Sequence, residues 1–194
     1  MELAILARHG ESAFSARALV NGDTAVACPL TPVGEDEARR LGVALADDSI
    51  DLCVTSEFER TRQTADLALA AREVPRLVVP ELNDPLYGTF EGGPLSDYRA
   101  WAHSHGSAEA PPGGGESRRE LVARYARGFR LVVERPEATV LVVAHSLPIG
   151  YVLAGGVPGR VVPLVEHATA HPVPAEQLRA VVEALEAWVA APTW

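Results

Sequence analysis

The sequence has no lysine: all 17 basic residues among its 194 are arginine. That absence excludes Schiff-base chemistry, a Walker-type lysine on a bound phosphate and a lysine general base. Cysteine is nearly missing as well. Cys28 and Cys53 fit no paired metal-ligand spacing and suggest no disulfide framework, so both read as buried thiols. No apolar stretch approaches the ~20 residues that span a bilayer, and the first residues lack a basic region followed by a long apolar segment and cleavage site. A cytoplasmic protein that does not enter a membrane is the expectation. Positive charge is in deficit: 26 acidic against 17 basic residues give a net charge of −9. Such a field repels nucleic acid and anionic membranes. Any anionic partner must be a small molecule held by a local cationic pocket.

What the chain does contain is ordinary globular composition, 47% hydrophobic and 22% charged, enough for one domain over 1–194 with a sizeable core. Residues 3–7, Leu-Ala-Ile-Leu-Ala, read as a short buried strand. Thr31 as N-cap, Pro32 in the first turn and Ala38, Leu41, Ala44 and Leu45 at helical spacing predict a helix over 32–47. "IDLCVTS" reads as a second, parallel strand, and helical periodicity resumes in "FERTRQTADLALAA". A third strand is expected at 77–79, then a helix capped by Ser96 that contains Tyr98 and Trp101. "SAEAPPGGGES" reads as a loop, and its glycines follow no strand, so they are not a nucleotide fingerprint. "ESRRELVARYARGFRLVVERP" predicts a long helix whose arginines form a solvated face. Residues 140–144 predict a central strand, followed by a helix to Gly155, a weakly marked strand region and a final amphipathic helix. The β-α-β-α order implies an α/β fold: a three-layer α/β/α sandwich on a mostly parallel sheet.

Chemistry gathers at strand ends. Arg8 and His9 follow the first strand, His145 and Ser146 follow the central one, and Arg60 opens the helix after the second. Ligands of open α/β sheets bind at the carboxyl ends of strands. A pocket combining these groups suits phosphate, because guanidinium matches its oxygens with charge-assisted, bidentate hydrogen bonds. A neutral histidine nitrogen there can attack phosphorus, with the other cations spreading the charge of the transferring group.

These residues carry a resemblance. "LARHGES" resembles the Arg-His-Gly-Glu-Thr/Ser signature of the histidine phosphatase superfamily, also called phosphoglycerate mutase-like. "PLTPVGEDEA", "TSEFERTRQTA", "LNDPLYGTFEG", "PGGGES" and "VLVVAHS" resemble further segments of that family in the family's order, across roughly residues 3–155. The resemblance implies a phosphoglycerate mutase-like fold and a phosphatase acting on a small phosphorylated substrate without metal or other cofactor. His9 would be the nucleophile, forming a phosphohistidine, with Arg8, Arg60 and His145 on the phosphoryl group. The general acid would be Asp84, where relatives usually carry glutamate, with Glu81 as the substitute. Ser15 stands where an asparagine is often found, and Ser146 could offer a hydroxyl or a helix-start N–H to the anion.

Competing readings attach to the same residues. Arg62 competes with Arg60, and Asn83-Asp84-Pro85 is also ordinary turn chemistry. His103 and His105 could suggest a metal pair but lack a third ligand at useful spacing. His167 and His171 fit either a loop or a pocket wall, and Tyr87, Tyr98 and Trp101 either pocket or core. "VVAHSLPIG" echoes a serine hydrolase elbow with Ser146 as nucleophile, although Ala144 and Pro148 occupy its glycine positions. Mutase-type phosphoryl transfer and non-catalytic binding of a phosphorylated ligand are the remaining alternatives.

Overall fold

The computed structural model describes residues 1–70, 72–159 and 162–194. Five strands form one sheet in the order β3-β2-β4-β1-β5. They are β1 (Leu3–Arg8), β2 (Leu52–Thr55), β3 (Arg76–Val78), β4 (Thr139–Ala144) and β5 (His171–Pro174). The first four are mutually parallel, and β5 runs antiparallel along β1. The two central strands are continuous apolar runs because both faces of the sheet are covered. Alternate residues serve opposite layers: Ala4, Leu6, Val140 and Val142 pack with α4 (Arg118–Val133) and α6 (Ala175–Ala190), while Ile5, Ala7, Leu141 and Val143 pack with α1 (Pro32–Ala44) and α2 (Glu59–Ala68). That is the expected α/β/α sandwich. Both cysteines are buried free thiols, as anticipated.

Local signals set most element boundaries. Thr31 Oγ1 accepts from Gly34 N at 3.1 Å and Pro32 opens α1. The helix ends at Ala44, earlier than the 32–47 reading, where Asp47 and Asp48 would set negative charge against the carbonyl end of the dipole. Ser117 and Glu120 close a reciprocal capping box on α4. The Ser96 cap is not formed: α3 (Leu95–Ser104) begins two residues earlier than that cap implies, behind extended Pro94, and the Ser96 hydroxyl turns to Asp97 Oδ1 at 3.1 Å. A short helix, α5 (Ser146–Leu153), leaves the end of β4. Among the described residues, no helix is long and apolar enough to cross a membrane.

Candidate active site

The register of β1 and β4 builds the centre of the site. Arg8 pairs with Ala144 across the parallel ladder, and His9 N donates to Ala144 O at 2.9 Å. The two strands therefore end together, and the rings of His9 and His145 lie 5.3 Å apart, edge to face. Two histidines far apart in sequence become neighbours because two buried strands stop at the same height.

His9 is only 4% exposed, and its Nδ1 lies 2.7 Å from Gly10 O. A carbonyl can only accept, so the ring proton sits on Nδ1 and the Nε2 lone pair is free. Arg60 Nε donates toward that lone pair at 3.3 Å. Burial, reinforced by the charges of Arg60, His145 and Arg8, holds His9 well below the ordinary histidine range. The imidazole is neutral at physiological pH, as a nucleophile must be.

Arg60, on the first turn of α2, binds the parts together. It is 2% exposed, donates through Nη1 to Asn21 Oδ1 at 2.7 Å and through Nη2 to Asp84 Oδ2 at 2.8 Å, and lies 4.0 Å over the Phe58 ring. Arg62 is exposed and does not line this cavity. Asp84 Oδ2 also meets His145 Nδ1 at 3.2 Å. On the far side of that ring, Nε2 lies 2.9 Å from Ser56 Oγ. The consistent proton assignment is Nδ1–H to the carboxylate and the Ser56 hydroxyl to Nε2. Burial pushes His145 down to about 4, with Asp84 opposing only in part. Burial pushes the Asp84 carboxyl up, but His145 and Arg60 together outweigh it and hold it at about 2. At rest the site holds two neutral imidazoles, an ionised carboxylate and guanidinium cations.

His9, Asp84 and His145 each bring one donor atom within 4.8 Å of the others, close enough for a metal ion. The Arg60 guanidinium already stands among all three, at 3.3 Å from His9 Nε2, 2.8 Å from Asp84 Oδ2 and 3.4 Å from His145 Nδ1. A cation would have to displace a buried guanidinium, so the triad is organised around arginine.

The remaining expected residues line the same cavity, of about 180 Å3. Arg8 donates to Val165 O at 2.8 Å, and its Nε is buried with no hydrogen-bond partner among the described residues. The Ser15 hydroxyl is engaged locally with Ser12, accepting from its N–H at 2.7 Å. Ser146 Oγ accepts from Val165 N at 2.9 Å. No described histidine nitrogen is hydrogen-bonded to Ser146, so it lacks the base that a serine nucleophile needs. Glu81 is not on this wall; it faces a separate groove with Arg124 and Arg127.

Sequence reasoning missed several contributors. Asn21 supplies the amide that orients Arg60, from a turn whose Asn-Gly pair signals only backbone geometry. The arginines of α4 are not simply a solvated face. Arg124 donates to the carbonyls of Glu81 and Asn83 at 2.9 Å and of Asp84 at 3.2 Å, while Glu116 grips its other edge at 2.7 and 2.8 Å. A guanidinium's five fixed donors fit several carbonyls of one loop at once, which is why this position faces inward despite its charge. His167 packs 5.8 Å from the His9 ring but lines a groove beyond Arg8 rather than the cavity of His9 and Arg60, and His171 lies in β5. Tyr87 and Tyr98 both line the cavity and pack edge to face at 4.7 Å, so they are pocket and small core together. His105 stacks on Trp101 and its Nδ1 meets Trp101 O at 2.7 Å, a structural use.

Comparison with known proteins gives a consistent pattern. The family model described as histidine phosphatase superfamily (branch 1) matches residues 4–171. The adenosylcobalamin/alpha-ribazole phosphatase of Escherichia coli is 32% identical over 77% of this chain and 76% of that protein. A 2,3-bisphosphoglycerate-dependent phosphoglycerate mutase of Thermobifida fusca is 30% identical over 96% of this chain and 78% of its own length. The crystal structure of a putative alpha-ribazole-5'-P phosphatase from Escherichia coli superposes with a TM-score of 0.76 at 26% identity, covering 89% of this chain and 90% of that one.

Proposed function

Because the chain belongs to the histidine phosphatase superfamily, branch 1, and is a phosphoric monoester hydrolase, we propose that it cleaves a small phosphomonoester through a phosphohistidine on His9. The observation that carries this reading is the unprotonated Nε2 of a buried, neutral His9, which accepts only a long hydrogen bond from Arg60 Nε, in a cavity lined by Arg8 and Arg60.

The phosphoryl oxygens take the donors of Arg8 and Arg60, which line the cavity, and the Nδ1–H of the fully buried His145 once Asp84 gives it up, with Asn21 keeping Arg60 oriented and Ser15 and Ser146 at the rim of the phosphate subsite. The His9 Nε2 lone pair forms the N–P bond while the ester O–P bond breaks. Asp84 stands ready to protonate the departing oxygen. It is ionised at rest because Arg60 and His145 hold it at about 2. A bound phosphoryl group draws those donors away and adds like charge, and both effects raise the carboxyl's affinity for a proton, which it takes from solvent or from an ester bound as its monoanion before the ester bond breaks. In the second half Asp84 takes a proton from water, the water oxygen attacks phosphorus, and the N–P bond breaks to return the lone pair to His9. No metal takes part, since Arg60 fills that role. One domain over 1–194 acting in the cytoplasm on a soluble substrate completes the reading. Mutase transfer is the second reading, supported by relatives that are named as mutases; it differs only in delivering the phosphoryl group to a substrate hydroxyl.

Phosphate release from a panel of phosphomonoesters, including an aryl phosphate and 3-phosphoglycerate, tests the proposal with wild type and His9→Ala side by side. Release by the wild type alone is expected. Equal release by both proteins would overturn the nucleophile, and isomerisation of phosphoglycerate without release would favour the mutase reading.

A further inference from the structure

The cavity carries more positive charge than a phosphomonoester needs. Arg8, Arg60, Arg99 and Arg118 all line it, against the single carboxylate of Asp84. A phosphoryl dianion and Asp84 together supply three negative charges for four cations. Arg8 and Arg60 belong to the phosphate floor, and they are the arginines whose charges act on His9. Arg118 is not among the charges that act on His9. It projects from the first turn of α4 and donates from Nη1 to the Tyr151 hydroxyl at 2.6 Å. Among the described residues no carboxylate lies within 4.0 Å of it, whereas Arg124 on the same helix is matched by Glu116.

A half-buried guanidinium left without a counter-ion is costly unless a ligand supplies one. Its surroundings suit such a ligand. Tyr98 lines the same cavity, and its phenol lies in the field of Arg118, which opposes the upward push of burial. The Tyr98 hydroxyl makes no hydrogen bond to a described residue, and the side chain lines the cavity. Leu95, Ala102, Leu147 and Val162 add apolar walls to the same cavity. The tyrosines and leucines give body contact, and the guanidinium gives the fixed polar point that sets orientation.

We infer that Arg118, assisted by the Tyr98 hydroxyl, is a second anion subsite that receives a carboxylate or similar oxyanion on the alcohol portion of the substrate. The enzyme thereby selects phosphomonoesters that are anionic at both ends and apolar between. This rests on the phosphatase reading of the site and names the substrate class for it. Recognition through Arg118 acts on binding of the leaving portion, so it reads out in kcat/KM between paired substrates.

The test compares phenyl phosphate with 3- and 4-carboxyphenyl phosphate for the wild type, Arg118→Met, Arg118→Lys and Tyr98→Phe. One charge-assisted hydrogen bond predicts a preference of roughly tenfold or more for a carboxylated ester in the wild type. The preference should collapse toward unity in Arg118→Met, recover in part in Arg118→Lys and weaken in Tyr98→Phe. The ratio within each variant is its own control for altered folding, and the wild-type comparison needs no variant. Equal turnover of charged and neutral esters by the wild type would overturn the inference and leave the phosphatase reading standing. A preference that persists in Arg118→Met would place the subsite elsewhere. If the wild type turns over none of the three esters, the phosphatase reading fails and takes this inference with it.

Discussion

At the scale of single residues, the chemistry depends on which proton sits where. His9 keeps Nε2 unprotonated because Gly10 O fixes the proton on Nδ1, and burial among cations prevents a second one. Asp84 works only if it can carry a proton when the ester bond breaks. Asp84→Asn should therefore slow hydrolysis of alkyl phosphates by about 100-fold, within the usual range for general acid catalysis, and of nitrophenyl phosphate far less, because that group departs unaided. Equal losses on both substrates, measured as kcat, would remove Asp84 from the acid role. The histidines also tie stability to pH. The His145 ring falls from the ordinary 6.5 to about 4 on folding, so between those values the unfolded chain binds a proton that the folded one refuses. Stability is full above 6.5 and drains as pH falls toward 4; the part due to His145 is on the order of 1–2 kcal/mol by pH 5. His9 and His167 act with the same sign. Asp84, held at about 2 against an ordinary 3.8, adds a further loss only below that ordinary value. Urea midpoints at pH 7.5 and 5 should shift less for His145→Asn than for the wild type; identical shifts would contradict the assignment.

At the scale of elements, two close approaches aim His9, the proposed nucleophile. A Cβ on Gly10 would overlap the carbonyl oxygen of Gly34, and one on Gly34 would overlap that of Glu11. The end of β1 and the start of α1 thus meet backbone to backbone, which explains why glycine stands in both "RHG" and "LTPVG". Gly34→Ala should cost about 2 kcal/mol or more through this overlap and lower kcat with it, read by thermal melts and turnover; a neutral outcome would mean the segment shifts freely. The acid loop is held instead from α4. Arg124→Met frees three loop carbonyls and strands Glu116, so it should cost about 2–3 kcal/mol and lower kcat on alkyl phosphates more than on nitrophenyl phosphate. A uniform loss on both would make Arg124 structural alone. This is also where sequence reading stops. Strand-end histidines, the capped start of α1 and the arginine opening α2 are local patterns and were legible as such. Asn21 on Arg60 and Arg124 on the Asp84 loop join segments 39 and 40 residues apart, and no local pattern encodes such a pairing. The α4 arginines show the difficulty: periodicity identifies the helix, yet it cannot say which charged positions turn inward to a loop or a cavity.

At the scale of the whole molecule, a chain of net charge −9 encloses a cavity lined by four arginines. The deficit of positive charge over the whole chain and its concentration in the cavity suit the site to a small anionic substrate. Lysine's absence was the first sign of this, since every cation available to the site had to be a guanidinium. The fold class was legible because strand and helix periods alternate cleanly, while the antiparallel β5, a short strand with prolines at both Pro172 and Pro174, gave little signal. Since Arg60 stands where a triad-bound cation would sit, exhaustive dialysis against chelator should leave kcat unchanged, and loss of activity restored by a divalent ion would contradict that organisation. The central claim is a covalent phosphoryl group on His9. The most direct measurement is rapid acid-free quenching during turnover, followed by mass spectrometry of the peptide that contains residues 6–12. The account predicts one phosphoryl group on His9, stable in base, lost in acid and absent from His9→Ala. Phosphoryl transfer to Ser146, or full turnover with His9 unmodified and replaceable, would contradict it.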